Sequence, residues 1–412
     1  MRILFVNQYF PPDTTNTAYL LGELCEDLAR DHEVWVVAGR PSYNPEASRY
    51  RPRGIRIRRA WSTAFSRAGM GGRLLNYASY LVSSLLAALR VPRPDVVVAL
   101  TDPPVIGAVG AAVARRHRIP FVQVYMDIYP DVGVALGRVD HPFVVRAWRL
   151  LNRAIRSRAT RIVAIGRDMV EKLQSEGVGP AKIVFIPNWA EALPADDGAA
   201  RQARTAMGWE DRFVVMHAGN MGLAQNLGCL IDAAGLLADR PDILVVLLGD
   251  GAARGRLEQE ARARGLRNVA FLPPIPKDEA GRLIAGADLH VVTLSPGLRG
   301  SVVPSKIYGI LAAGRPFVAA VDAGSEPARL IEEHVCGTRV DPGDGEGLAR
   351  AIRAFRDQPD PDMGRRGQLA FASRYTRQVA TAAYRDLLEE VNSARRVPGQ
   401  ARRSRVGRRH KL

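Results

Sequence analysis

Short apolar runs rich in Val, Ile and Leu alternate along the chain with stretches whose apolar positions recur at helical spacing. Ile3–Val6, Val34–Ala38, Val96–Leu100, Phe121–Tyr125 and Ile162–Ile165 predict strands in the first half. Between them, Leu21, Leu24, Cys25 and Leu28, and later Val144, Trp148, Leu151 and Ile155, mark helix faces. Strands alternating with helices in this way imply βαβ units on a parallel sheet covered on both sides. The rhythm stops after Pro187-Asn188-Trp189, because Ala190–Ala206 has no clear apolar period. It resumes with Phe213–His217, Ile243–Leu248, Val269–Leu272, Leu289–Leu294 and Phe317–Val321. The expected architecture is therefore α/β, with two doubly wound domains joined near residue 190. A last helix is expected over Thr376–Val391, with Ala380, Tyr384, Leu387, Leu388 and Val391 on one face.

Composition alters this picture little, charge rather more. With 412 residues, 47% hydrophobic and 24% charged, the chain is ordinary globular material, which excludes wholesale disorder and a polytopic membrane protein. Lys+Arg number 58 against Asp+Glu 42, a net charge of +16, so the expected partners are anionic: nucleic acid, lipid or phosphorylated substrates. Half of the excess follows Glu390, in Arg395, Arg396, Arg402, Arg403, Arg405, Arg408, Arg409 and Lys411. Residues 395–412 thus read as a basic, disordered tail. Cys25, Cys229 and Cys336 lack CxxC spacing, which argues against a disulfide framework or cysteine zinc site and suits a reducing cytoplasm. Arg2 ahead of Ile3–Val6 reads as the start of a strand rather than a secretion signal.

Three loops carry the candidate chemistry. His217-Ala218-Gly219-Asn220-Met221-Gly222 and Leu248-Gly249-Asp250-Gly251 each join a predicted strand to a helix on the same edge of one sheet. Glycine there lets the backbone approach a phosphate, and the helix start offers free N–H groups. Each turn alone is also what a ligand-free tight connection looks like, and the acidic residue of a dinucleotide site is missing after the second. The third loop, from Arg299 to Lys306, opens a short helix that Gly314 and Pro316 close. Lys306 in its first turn opposes the helix dipole, a placement that favours a nearby anion. Arg299, Ser305 and Lys306 then read as a diphosphate clamp, against the plainer alternative of a solvated lysine. In the first half, Asp127 follows the Phe121–Tyr125 strand, where a carboxylate either handles a hydroxyl or caps the next segment. Asp13, Thr14, Thr15 and Asn16 form a polar loop leading into the helix at Ala18.

These motifs, in this order, together with Tyr9-Phe10-Pro11-Pro12, Asp127-Ile128-Tyr129-Pro130 and Ile186-Pro187-Asn188-Trp189, resemble glycosyltransferase family four. The resemblance runs to about Tyr384 and is to the bacterial polysaccharide subgroup that includes colanic-acid and N-acetylfucosaminyl transferases. It implies a GT-B fold, two Rossmann-like domains facing a cleft. The acceptor would bind in residues 1–187 and the nucleotide-sugar in 188–375, with the helix over 376–394 crossing back to the first domain. The implied activity is retaining transfer of an N-acetylated amino or deoxyamino sugar from a UDP-sugar to a lipid-linked or saccharide acceptor. It would serve cell-surface polysaccharide biosynthesis, with no cofactor or metal required and the nucleotide-sugar donor as co-substrate. On this reading Gly219, Asn220, Gly222, Gly249, Asp250, Gly251, Arg299, Ser305 and Lys306 bind the donor. Asp127 is catalytic, and Asp13, Thr14, Thr15 and Asn16 form the acceptor-side loop. The chain departs from the family where most members carry two glutamates eight apart: Ser301 and Gly309 stand there. Asn220 and Gln225 occupy the region of the usual Arg and Lys. Glu326, at another helix start, is left as the ribose-binding candidate, a simple helix-start carboxylate being the alternative.

Leu74–Leu89 is uncharged between Arg73 and Arg90, too short to span a bilayer, and fits either a core helix or an interfacial one. With the basic strip of Arg49, Arg51, Arg53, Arg56, Arg58 and Arg59, it points to peripheral attachment at the anionic inner face of the plasma membrane. The histidines show no paired ligand spacing, and Asp360-Pro361-Asp362 reads as a solvated turn rather than a metal motif. Two other classes stay open. One is a nucleotide-sugar epimerase of the same architecture. The other is a nucleic-acid-binding protein using the basic tail; that tail lacks interleaved aromatics, and no specific nucleic acid is expected.

Overall fold

The computed structural model describes residues 1–42, 48, 50–63, 70–192 and 197–396. The first half runs β1 (Arg2–Val6), α1 (Asn16–Leu28), β2 (Glu33–Gly39), β3 (Ile55–Ala60), α2 (Met70–Leu89), β4 (Val96–Ala99) and α3 (Gly107–His117). It continues with β5 (Phe121–Tyr125), α4 (Asp131–Ala135), α5 (Pro142–Arg158), β6 (Arg161–Ala164), α6 (Arg167–Ser175) and β7 (Ile183–Phe185). The second half runs α7 (Asp197–Met207), β8 (Phe213–Ala218), α8 (Gly228–Leu236), β9 (Ile243–Leu248), α9 (Arg254–Ala263), β10 (Val269–Leu272) and α10 (Lys277–Gly286). It ends with β11 (Leu289–Thr293), α11 (Lys306–Ala312), β12 (Phe317–Ala320), α12 (Glu326–His334), β13 (Gly337–Val340), α13 (Gly345–Asp357), α14 (Met363–Arg374) and α15 (Arg377–Arg396).

The strands form two wholly parallel sheets, ordered β3-β2-β1-β4-β5-β6-β7 and β10-β9-β8-β11-β12-β13. Their central strands are buried along their length, so both faces must be apolar, which is why Val96–Ala99 and Ile243–Leu248 read as unbroken apolar runs. Helices cover both faces of the first sheet. One side packs Tyr80 of α2, Val109 and Val113 of α3 and Ile155 of α5 against Leu4, Val97 and Phe121. The other packs Leu21 and Leu24 of α1 with Tyr384, Leu387 and Leu388 of α15 against Ile3, Val98 and Val122.

The chain crosses between the domains twice, side by side. Ala190 donates its N–H to Tyr375 O (3.3 Å) and pairs with Thr376 in an isolated parallel bridge. The buried Trp189 donates its Nε1–H to Glu23 on α1 (2.7 Å), and its ring meets Tyr384 edge-on. Arg377, opening α15, holds Asp27 of α1 through both carboxylate oxygens (2.8 and 2.9 Å). The last helix is thus fastened to the first domain by a buried apolar seam and a bidentate ion pair. The basic tail beyond Arg396 lies outside the described residues, as does Arg49.

Both sheets reverse their winding between the first and fourth strands, β1/β4 and β8/β11. Ligands of open α/β sheets sit beyond the carboxyl ends of the strands at such a switch point. That rule locates the site before any side chain is considered.

Candidate active site

At the second sheet's switch point, the turns after β8 and β9 interlock. Gly219 N–H donates to Leu248 O (2.8 Å), Met221 N–H to Asp250 O (2.8 Å), and Ala253 N–H to Met221 O (2.8 Å). Gly249 and Gly251 have φ of +133° and +154°. A Cβ at Gly249 would lie 2.2 Å from Gly219 O, and one at Gly251 2.6 Å from Met221 O, so only glycine closes this junction. Asp250 is exposed and accepts from Gly251 N–H (2.8 Å), while Gly222 N–H donates to Gln225 Oε1 (3.0 Å). Behind the second turn, Arg254 donates to Gly249 O (2.6 Å) and Leu272 O (3.1 Å) and pairs with Glu258.

Lys306, the first residue of α11, lies over this junction: a Cβ on Gly219 would be 3.7 Å from both its Cε and its Nζ. Its Nζ is 2.9 Å from Nε2 of His217, which is fully buried. No carboxylate lies within ion-pair distance of Lys306 among the described residues. Burial pulls the ammonium pKa down to about 7, and burial together with Lys306 keeps His217 neutral, well below the usual imidazole range. A half-desolvated cation beside a neutral ring, over two glycine turns, is an arrangement suited to binding an anion.

At the first sheet's switch point, Asn7 Oδ1 accepts from Asp102 N–H (3.2 Å) beyond β1 and β4. Thr101 Oγ1 accepts from the N–H groups of Met126 and Asp127 (3.2 and 3.4 Å). Asp102 and Asp127 are thereby brought into each other's field. Burial, then the charge of Asp102, pushes Asp127 up to about 7. Burial pushes Asp102 up to about 6, against hydrogen bonds from Asn7 and Thr17. Two carboxyl groups that titrate near neutrality can hold and exchange a proton.

The sequence-derived candidates are partly assembled and partly redistributed. Thr15 caps α1, accepting from Ala18 N–H (3.2 Å). Asp13, fully buried, accepts from Ser42 N–H (2.7 Å) and organises the loop, and Thr14 lies between them. Asn16 reaches across the cleft and donates to Ser305 Oγ (2.9 Å), joining the acceptor-side loop to the start of α11. The loop before α11 also docks on the first domain. Ile128 N–H donates to Ser301 O (2.9 Å), Gly300 N–H to the buried Asp168 (2.9 Å), and Asp127 and Val302 form an antiparallel bridge.

Two expectations need correction. Arg299 does not join Lys306 in a clamp; its guanidinium donates to Glu171 of α6 (3.0 Å) and lies against Gly324, half-exposed. Glu326 is not placed as a ribose ligand. It is fully buried, and both oxygens are taken by Arg167 through its N–H (2.7 Å) and guanidinium (3.0 Å). Both are domain-to-domain contacts, each with a partner far back in the chain. Nothing within Thr101-Asp102-Pro103-Pro104 singles out Asp102, whereas Arg254 sits at a helix start as Lys306 does and carries the same sequence signal. The described residues hold no cluster of metal-ligating side chains, and Asp360 pairs with Arg366 in its turn.

Two wholly parallel Rossmann-like domains facing each other across their switch points define the GT-B architecture. Residues 17–189 match the family described as glycosyl transferase 4-like domain, and residues 212–357 match glycosyl transferases group 1. The chain belongs to these glycosyltransferases, in the family-four group of bacterial polysaccharide enzymes. It is 29% identical to WcaI of Escherichia coli (strain K12), a glycosyl transferase named for colanic acid biosynthesis, covering 86% of this chain and 91% of that one. It is 28% identical to WbjE of Pseudomonas aeruginosa, named a probable glycosyltransferase, covering 76% and 80%. Among solved structures, Anabaena HepE in complex with UDP and glucose superposes with TM-score 0.73 at 19% identity, covering 95% of this chain and all of that one. WaaG, a glycosyltransferase involved in lipopolysaccharide biosynthesis, gives 0.70 at 17%, covering 93% and 98%.

Proposed function

We propose that the chain is a retaining glycosyltransferase that moves an N-acetylated amino or deoxyamino sugar from a UDP-sugar to a lipid-linked or saccharide acceptor in cell-surface polysaccharide synthesis. The work would be done at the inner face of the plasma membrane. The observation that carries this reading is Lys306: an ammonium with no carboxylate in ion-pair distance among the described residues, held over two interlocked glycine turns, across the cleft from the neighbouring Asp102 and Asp127. UDP as the nucleotide is supported by HepE, whose structure holds UDP and glucose, and the polysaccharide role by the name of WcaI.

In the reaction the bond between the anomeric carbon and the diphosphate oxygen breaks as charge builds on the leaving group. Lys306 and the N–H groups of the turns at Gly219–Gly222 and Gly249–Gly251 stabilise that charge. Asp127, ionised and with its backbone N–H held by Thr101 Oγ1, orients the acceptor hydroxyl toward the anomeric carbon. The new C–O bond forms on the face the diphosphate leaves, and the acceptor proton passes to the departing phosphate oxygen. The Asn16–Ser305 bond and the docked Gly300–Val302 loop hold the two domains together across the cleft during transfer. The test incubates pure protein with labelled UDP-sugars and a polyprenyl-diphosphate-linked acceptor. Product on the acceptor supports the reading; free epimer released without acceptor would favour the epimerase instead.

A further inference from the structure

Burial along two helices of the first domain runs against solvent logic. In α5 the core-facing side chains are Asn152, Ile155 and Arg156, while Phe143 is 77% and Leu150 58% exposed. At 100° per residue, Phe143, Ala147, Leu150 and Ala154 form one stripe on the side opposite the core. In α2, Tyr80, Ser84 and Ala88 are buried, whereas Leu75, Val82 and Leu86 are 55%, 62% and 50% exposed on the opposite face. Both helices cover the same face of the sheet with α3 between them, so both stripes point the same way. Half of the large apolar side chains left exposed among the described residues belong to α2 and α5.

We infer that α2 and α5 form one face that enters the headgroup region of an anionic bilayer. Charge complementarity selects the partner: Arg146 and Arg153 flank the α5 stripe without a partner among the described residues, and Arg115 and Arg116 are exposed on the intervening α3. Asp131 is neutralised by Arg149, leaving Asp140 as an exposed carboxylate beside α5. Apolar stripes bordered by arginine are what an interfacial helix presents to acidic lipid. The face also leads to the chemistry. On the core side of α5, Trp148 stacks on Tyr129, two residues after Asp127 (6.1 Å between centroids), so the helix that carries the stripe also packs against the Asp127 segment. A lipid-linked acceptor held at this face would be bound by the same domain that carries Asp127 and Asp102. This last step rests on the lipid-acceptor reading above; the membrane face does not.

The test sediments the full chain with phosphatidylcholine vesicles, with and without phosphatidylglycerol, at low and high salt. The wild type is expected to bind the anionic vesicles and to keep part of that binding at high salt. Phe143→Glu/Leu150→Glu and Val82→Glu/Leu86→Glu should each weaken it about tenfold or more, since each removes two inserted apolar chains. Arg146→Ala/Arg153→Ala, which touches no core residue, should weaken binding to anionic vesicles alone, and circular dichroism confirms that each variant is folded. Binding equal to wild type in all three variants, or wild-type binding wholly released by salt as the basic tail alone would give, overturns the inference. So does a dimer in sedimentation velocity that the same substitutions dissolve. Failure of the UDP-sugar reading would show instead as no thermal shift with UDP, with vesicle binding intact.

Discussion

Replacing Lys306 with methionine tests the anion site through its thermodynamics. In the free protein the ammonium pKa lies near 7 instead of 10.5, so the folded state disfavours the charged form. That gap corresponds to at most about 5 kcal/mol at 1.36 kcal/mol per pH unit, and water reaching a half-buried group reduces it to about 2 kcal/mol. The sign follows from proton counting: between pH 7 and 10.5 the unfolded chain binds a proton that the folded chain does not, so wild-type stability from this group rises with pH. Below pH 7 both states are protonated and the penalty is complete. The methionine side chain carries no charge, so the stability of Lys306→Met relative to wild type should fall by about 1–2 kcal/mol between about pH 6 and pH 9 in urea denaturation. The pH trend is the readout, because the variant also deprives His217 of its hydrogen-bond partner. UDP should raise the melting temperature of wild type and not of the variant. Above pH 7 UDP binding must recharge the lysine, so its Kd should rise up to about tenfold per pH unit. A flat stability difference across that pH range, with UDP shifting both proteins equally, would refute the anion-site argument.

Asp127→Asn should lower turnover about 100-fold or more while leaving UDP affinity unchanged. Wild-type turnover should rise with pH as Asp127 ionises near 7, and Asp102→Asn should move that midpoint to lower pH by removing a like charge, read in the pH–rate profile. Glu326→Ala should destabilise by about 3 kcal/mol, because Arg167 keeps only Glu333, and should leave UDP affinity intact, which a ribose ligand would not. Gly249→Ala, whose Cβ would sit 2.2 Å from Gly219 O, should cost about 3 kcal/mol in chemical denaturation and weaken UDP binding at the same time.

All ten strands expected from the apolar runs are present; nine are interior strands, which in parallel sheets bury both faces and leave an unbroken apolar signature, and the tenth, β10, is a half-buried edge strand that is apolar nonetheless. The three missed strands, β3, β7 and β13, are all sheet edges. β3 carries Arg56 and Arg58, which stack on Trp35, and Arg59, which donates to Gly39 O and Pro11 O. Charge that looked like an open basic strip is in part structural. The placement of Lys306 and of the glycine turns is legible because it is local: a cation at a helix start, glycines after strands. That of Arg299 and Glu326 is not, because Glu171 and Arg167 lie 128 and 159 residues away in the other domain. Asp102 gains meaning only from topology, since nothing in its own segment says that β4 ends at the switch point. Leu74–Leu89 fits a core helix or an interfacial one from its sequence, and in α2 one face is in the core and the other is exposed.

The central claim is that the cleft transfers a sugar from a nucleotide diphosphate to an acceptor with the anomeric configuration kept. Its most direct measurement is the NMR coupling at the new anomeric centre after incubation with a turned-over UDP-sugar and a polyprenyl-diphosphate-linked acceptor. Wild type is expected to form an acceptor-linked sugar whose anomeric configuration matches the donor's, and Lys306→Met is expected to lose it. An inverted product, or free sugar or epimer formed equally well without acceptor, would contradict it.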